Sequence, residues 1–184
     1  MRIGVFGGTF DPPHMGHLEL SQIALESGLV DHVIFIPCLR HALGKIPAGF
    51  EHRLAMCKVL VENEPNMEVS DIESRLDTGG RTLDLLKALG QEFPDDNLRL
   101  LAGTDIYHER DRWYRFDEVA RLAPPIYVER LGAAPIPHET LAAPRMVSSN
   151  EIRRAISEGR LPGEWIAKAV AAYIAQNHLY GYGT

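Results

Sequence analysis

The chain predicts a three-layer α/β sandwich around a mostly parallel sheet of five or six strands. Three observations predict it. Short runs rich in Val, Ile and Phe alternate along the chain with amphipathic stretches of helical period. The first forty residues hold a strand, a helix and a second strand, a βαβ unit that demands parallel pairing through a right-handed crossover. A length of 184 residues with 45% hydrophobic content supplies one substantial core without disulfide or metal staples, so residues 1–184 are expected to form a single domain.

The elements follow in order. Arg2 to Phe6 is a short β-branched and aromatic run that stops at Gly7-Gly8. Pro12 and Pro13 cannot donate backbone hydrogen bonds and suit a helix entrance, which places the first helix near His14. Leu18 to Ser27 carries Leu20, Ile23 and Ala24 inward, and Gly28 is placed to end that helix. Val33-Ile34-Phe35-Ile36 is a buried strand stopped by Pro37. Phe50, Leu54, Cys57 and Val61 mark one helix face, Met67 to Ser70 a short strand, and Leu85, Leu86, Leu89 and Phe93 the next helix. Leu98 to Ala102 is the clearest later strand, followed by a short helix over Phe116 to Leu122 and a strand over Ile126 to Glu129. Glu151 to Ser157 forms a helix with Ile152, Ala155 and Ile156 on one side, and a last helix carries Trp165, Ala169, Val170, Tyr173 and Ile174. Leu131 to Arg145, rich in Ala and Pro, reads as a surface loop. The architecture is Rossmann-like, and its ligands are expected at the carboxyl ends of the strands.

Composition excludes several classes. A formal net charge of −6 argues against a nucleic-acid polymer as partner, because polyphosphate backbones demand a basic face. No apolar run approaches membrane-spanning length and no signal-peptide core follows Met1-Arg2, so no membrane association and a cytoplasmic location are expected. Cys38 and Cys57 lack metal spacing and read as two reduced structural thiols, and no metal site is predicted.

Two segments carry more chemistry than a core requires. Between Gly4 and His17 a strand passes into a helix through a glycine turn, where Gly7 and Gly8 let a ligand approach the backbone. The helix start presents unpaired amides and a positive dipole end to that loop, which favours an anion. His14 and His17 share one helix face, and Gly16 leaves room beside them for a polyphosphate. The G-x-G-x-x-G spacing of dinucleotide oxidoreductases is not met, and the histidines have no role in such a site. In Val147-Ser148-Ser149-Asn150-Glu151-Ile152-Arg153, Ser148 and Glu151 have the spacing of a capping box. Arg153 offers a permanently cationic fork to phosphate oxygens. Between the two segments, Leu100 to Asp105 ends a strand in Gly103 and then a carboxylate, Asp105, an arrangement suited to a ribose hydroxyl.

Gly7-Gly8-Thr9-Phe10-Asp11-Pro12-Pro13-His14-Met15-Gly16-His17 resembles the signature of the nucleotidylyltransferase superfamily, and within it of the nicotinate-mononucleotide adenylyltransferases. The resemblance implies that His14, His17 and Arg153 act on the reacting phosphates. It also implies that Gly7, Gly8, Thr9, Phe10, Gly16, Gly103, Asp105, Ser148 and Ser149 bind ATP. Val147 to Arg153 is similar to the family's Ile-Ser-Ser-Thr-x-Ile-Arg motif, with Val147 and Asn150 as mild departures. Trp113-Tyr114 stand where the family places an aromatic beside the nucleotides, and a stacked ring there is worth roughly 1–3 kcal/mol. On the acceptor side the match loosens. The family's Pro-Pro-His-Lys is represented by His41-Ala42-Leu43-Gly44-Lys45, with Lys45 as a candidate phosphate ligand. Its Ser-Tyr-Thr is represented by Gly80-Arg81-Thr82, where Thr82 is retained and Arg81 replaces the tyrosine.

The implied reaction is adenylyl transfer from ATP to nicotinate mononucleotide, giving deamido-NAD and pyrophosphate by in-line attack without a covalent intermediate. A phosphate nucleophile is already anionic, so positioning and charge stabilisation suffice without a general base. Mg²⁺ is expected to arrive with ATP, because no dedicated carboxylate cluster is visible. The alternatives are a related transferase acting on nicotinamide mononucleotide or phosphopantetheine, and a nucleotide-binding module without turnover. Sequence leaves the oligomeric state open, a homo-oligomer included.

Overall fold

A computed structural model of the protein describes residues 1–39, 48–76, 80–129, 132–142 and 147–183. Six strands form one sheet: β1 (Arg2–Gly8), β2 (His32–Pro37), β3 (Met67–Val69), β4 (Asn97–Gly103), β5 (Pro125–Val128) and β6 (Thr140–Leu141). Their order is β3-β2-β1-β4-β5-β6, and all five ladders between them are parallel. The helices are α1 (Met15–Glu26), α2 (Phe50–Val61), α3 (Ile72–Arg75), α4 (Thr82–Glu92), α5 (Thr104–Glu109), α6 (Phe116–Leu122), α7 (Ser149–Ser157) and α8 (Lys168–Gln176), with single 3₁₀ turns at Arg110–Arg112 and Leu179–Gly181.

Strand alternation divides the core. From β1 and β2, Phe6, Val33 and Phe35 face a cluster completed by Leu18, Met56, Ile152, Val170 and Ile174, which covers one side of the sheet with α1, α2, α7 and α8. Ile3, Val5, Ile34 and Ile36 point the other way, into Leu83, Leu86 and Leu89 of α4 and Val119 of α6. A central strand buried on both faces carries apolar residues at consecutive positions, which is why these strands read as unbroken apolar runs. Truncating one such side chain, Ile34→Ala, costs about 2–5 kcal/mol in transfer and cavity terms.

The three-layer sandwich and parallel sheet therefore form as expected, with the strand count at its upper value. Two local readings are corrected. Thr140–Leu141, inside the stretch read as loop, pairs with Tyr127 and Val128 as the edge strand; a two-residue strand is too short to leave a periodic signature. Trp165 is not in the last helix, which starts at Lys168 after an extended Ala167. Trp165 lies in a preceding turn, with its N–H on the Pro162 carbonyl, and its own carbonyl accepts from Met15 N–H at 2.8 Å. The turn thus satisfies one of the orphan amides at the start of α1. The two cysteines are free, Cys57 is fully buried, and burial pushes its thiol pKa far up.

Strand order reverses between β1 and β4. The loops leaving these neighbours diverge toward opposite faces and open a crevice at their carboxyl ends.

Candidate active site

A cleft of about 870 Å³ occupies that crevice, within the range of nucleotide-sized ligand sites. One wall is the β1–α1 connection, with Gly7, Gly8, Thr9, Phe10, His14, Gly16 and His17; the facing wall is the start of α7, with Ser148, Ser149 and Arg153. Gly103 and Asp105 line the floor at the end of β4, and Thr82 and Trp113 line the far side. All three residues expected to act on the reacting phosphates thus meet in one cleft with the nine expected ATP-side residues.

The histidine pair opens α1. His14 has extended dihedrals at the N-cap position, and its backbone N–H donates to Nδ1 of His17 at 3.1 Å. The two rings stack with centroids 3.6 Å apart and planes 26° apart. Because Nδ1 of His17 accepts this bond, the neutral ring carries its proton on Nε2. Beneath the loop, Phe10 is only 2% exposed and packs edge-on to Phe6 and His17 at 5.3 and 4.9 Å. A Cβ at Gly8 would stand 3.0 Å from the Phe10 ring, so a larger residue there would have to displace that buried ring. Phe10 itself takes left-handed dihedrals, φ 50°.

Opposite, Ser148 caps α7. Its hydroxyl accepts from Glu151 N–H at 3.3 Å and donates to the Glu151 carboxylate at 2.7 Å, which also accepts the Ser148 N–H at 3.1 Å. The two bonds from Ser148 hold the Glu151 pKa below its ordinary value. Ser149 donates its hydroxyl to the Pro12 carbonyl at 3.0 Å, tying the two walls together. Arg153 donates from Nη1 to the Asp11 carbonyl at 2.5 Å, stands 3.5 Å from the Asp11 carboxylate, and bonds Asn150 through Nη2. The segment thus both caps α7 and lines the cleft.

The acceptor side is less closely assembled. Arg81 and Tyr114 do not line the cleft. The Arg81 guanidinium lies over the Tyr114 ring, 4.4 Å from its centroid, and both side chains are exposed. Lys45 falls outside the described residues, as does the rest of the His41 to Lys45 segment.

Sequence reasoning missed two anchors. Arg53 is 1% exposed; its Nε donates to the Ala48 carbonyl at 2.8 Å and Nη1 to the Thr9 carbonyl at 2.7 Å, bracing the glycine loop from behind. Its signal was a lone cation one turn before Cys57 on the apolar face of α2. Glu73 of α3 is 5% exposed at the cleft wall, and burial pushes its pKa up; its four-residue helix carries no periodic pattern. Among the described residues, no group of three or more His, Cys, Asp or Glu is disposed to hold a metal ion, and no helix is long and apolar enough to cross a membrane.

Comparison with known proteins agrees with this geometry. Residues 5–155 match the model of the cytidylyltransferase-like family. Relatives described as probable nicotinate-nucleotide adenylyltransferases include one from Gemmatimonas aurantiaca, 34% identical over 98% of this chain and 92% of its own. Another, from Thermus thermophilus, is 36% identical over 98% of this chain and its full length. The fold is shared with Plasmodium falciparum nicotinic acid mononucleotide adenylyltransferase complexed with NaAD, at TM-score 0.83 and 20% identity over 99% of this chain and 98% of that one. With family-level identity along its whole length and the stacked histidines, serine cap and arginine gathered at one strand-order reversal, the chain belongs to the nicotinate-nucleotide adenylyltransferase family of cytidylyltransferase-like nucleotidyltransferases.

Proposed function

We propose that this chain transfers the adenylyl group of ATP to nicotinate mononucleotide in NAD biosynthesis, releasing pyrophosphate. The observation that carries the reading is the meeting of His14, His17 and Arg153 in one cleft at the amino ends of two helices. These groups supply N–H donors and positive charge where the α-phosphate and its leaving group develop negative charge. The acceptor phosphate attacks the α-phosphorus in line, and Nε2–H of His17 donates to a phosphate oxygen. Arg153 holds the polyphosphate through N–H groups not committed to Asp11 and Asn150.

The magnesium that nucleotide polyphosphates carry would enter with ATP. Asp11, the carboxylate closest to Arg153, is already committed to a backbone amide, a phenol and the guanidinium, which fits a cation held by substrate oxygens and water. At the acceptor end, Thr82 at the start of α4 and Trp113 would meet the pyridine ring and its carboxylate, a reading supported by the lining of the cleft by both residues. A cytoplasmic setting completes the proposal.

The test is pyrophosphate release from Mg-ATP with nicotinate mononucleotide, nicotinamide mononucleotide and phosphopantetheine supplied separately. Preference for the first is expected. Preference for either other acceptor overturns the assignment of the acid mononucleotide, and ATP binding without turnover on any of the three overturns the assignment as an enzyme of this reaction.

A further inference from the structure

We infer that Tyr180 is a positioning residue for Arg153: its hydroxyl, brought from the far end of the chain, fixes the Asp11 carboxylate against which the guanidinium is seated at the nucleotide cleft. The inference rests on the assignment of Arg153 to the ATP phosphates.

Asp11 is buried, 5% exposed, and a buried carboxylate must have its lone pairs satisfied. Its Oδ1 accepts from Ala48 N–H at 3.0 Å and from the Tyr180 hydroxyl at 2.8 Å, while Oδ2 faces Nη1 of Arg153 at 3.5 Å. Nη1 also donates to the Asp11 carbonyl, and Nη2 is bonded to Asn150. The guanidinium thus faces three oxygens, and the placement of the two that belong to Asp11 depends on how firmly that residue is held. One of its two Oδ1 bonds comes from a residue 169 positions away. Because the carboxylate only accepts, the phenol must donate. Burial first, and then the Asp11 charge, push the Tyr180 pKa far upward, so the phenol keeps its proton at any physiological pH.

The backbone on both sides of the contact is unusual. His178 and Tyr180 have φ of 49° and 58°, and Phe10, which precedes Asp11, has φ 50°. Each non-glycine residue in the left-handed region costs on the order of 1 kcal/mol and persists where its surroundings determine it. The 3₁₀ turn bearing Tyr180 packs on α7, the helix of Arg153, so both ends of the Asp11 bridge belong to one local assembly.

The experiment is a double-mutant cycle read by calorimetric ATP binding to the full chain. Tyr180→Phe keeps the ring and removes only the hydroxyl; it should weaken ATP about fivefold to tenfold, within the weight of one ordinary hydrogen bond, because the hydroxyl does not itself touch the nucleotide. In an Arg153→Ala background the same change should alter ATP affinity by less than about twofold, because the hydroxyl acts through Arg153. Tyr173→Phe, which removes from α8 a hydroxyl 3.0 Å from His52 of α2, should leave ATP affinity within about twofold, as expected for a site that shares no partner with Arg153. Wild-type affinity in Tyr180→Phe, or an equal loss in both backgrounds, overturns the inference and leaves Tyr180 a structural residue. If Tyr180→Phe is unfolded at the assay temperature, the whole cycle is repeated at a lower temperature at which it folds, and the same outcomes support or overturn the inference. If Arg153→Ala itself binds ATP like the wild type, this inference falls together with the assignment of Arg153. Pyrophosphate release by the wild type separately decides whether the reaction assignment stands.

Discussion

The half of the cleft proposed to hold phosphate is bonded into the fold residue by residue, whereas beside the half proposed for the acceptor, exposed side chains lean on each other at the surface. His17 is fixed by a backbone N–H, Ser149 by the Pro12 carbonyl, Arg153 by Asp11 and Asn150, and the loop between them by a buried arginine. Across the cleft, Arg81 and Tyr114 stack in solvent, and Trp113 meets Phe116 edge-on at 6.0 Å. The difference teaches where sequence is free to vary. A group that stabilises a reacting phosphate must be held within tenths of an ångström, while recognition of a ring tolerates several aromatic and cationic arrangements.

The sharpest way to break this contrast is His17→Ala. It should lower kcat about 10³-fold with an unchanged thermal melt, the upper range for loss of one donor to developing charge; turnover near wild type would remove His17 from the chemistry. Next comes Arg53→Leu, which leaves the Thr9 and Ala48 carbonyls without their buried donor and should cost about 2–4 kcal/mol of stability by chemical denaturation. If stability is untouched, the loop does not depend on its brace. Arg153→Ala should raise the KM for ATP about 10- to 100-fold, as expected for loss of a bidentate cationic contact, with the acceptor KM moving far less. Trp113→Ala should do the reverse, weakening the acceptor about 5- to 100-fold by loss of one stacking face; equal shifts in both KM values would show that the halves are not separable. Arg81→Ala should change acceptor KM less than about threefold, because an exposed cation–π pair is worth about 0.5–1 kcal/mol, and a larger effect restricted to the acid acceptor would bring Arg81 into the site. Smallest is the acid response of the α7 cap. The Glu151 pKa is lowered by Ser148, so its contribution is present above about pH 4.3 and lost as pH falls through the lowered folded value. Melting temperature followed across that range should fall more steeply in wild type than in Glu151→Gln.

Legibility in the sequence followed the same division. The strand runs, the glycine turn, the paired histidines and the capping box are local patterns, and each occurs where its spacing indicates. Arg53, Glu73 and the Asp11–Tyr180 bond were not legible, because each acquires meaning only when remote segments meet. A tyrosine near the end of a chain looks the same whether it floats in water or holds a carboxylate. The placement of Arg81 was equally illegible: its motif position suggests the cleft, and its guanidinium lies over the exposed Tyr114 ring. The edge strand Thr140–Leu141 escaped notice because hydrogen bonding to Tyr127 and Val128, not residue type, makes it a strand.

The 169-residue span between Asp11 and Tyr180 also has a meaning in time. During synthesis the glycine loop is made 169 residues before its phenol anchor, and contacts of such separation close late in folding. A growing chain can therefore lay down all six strands before its arginine is seated. Released chains ending just before and just after Leu179–Gly181 should differ in ATP capture though not in their sheet, so that the protein acquires its fold before its grip on nucleotide.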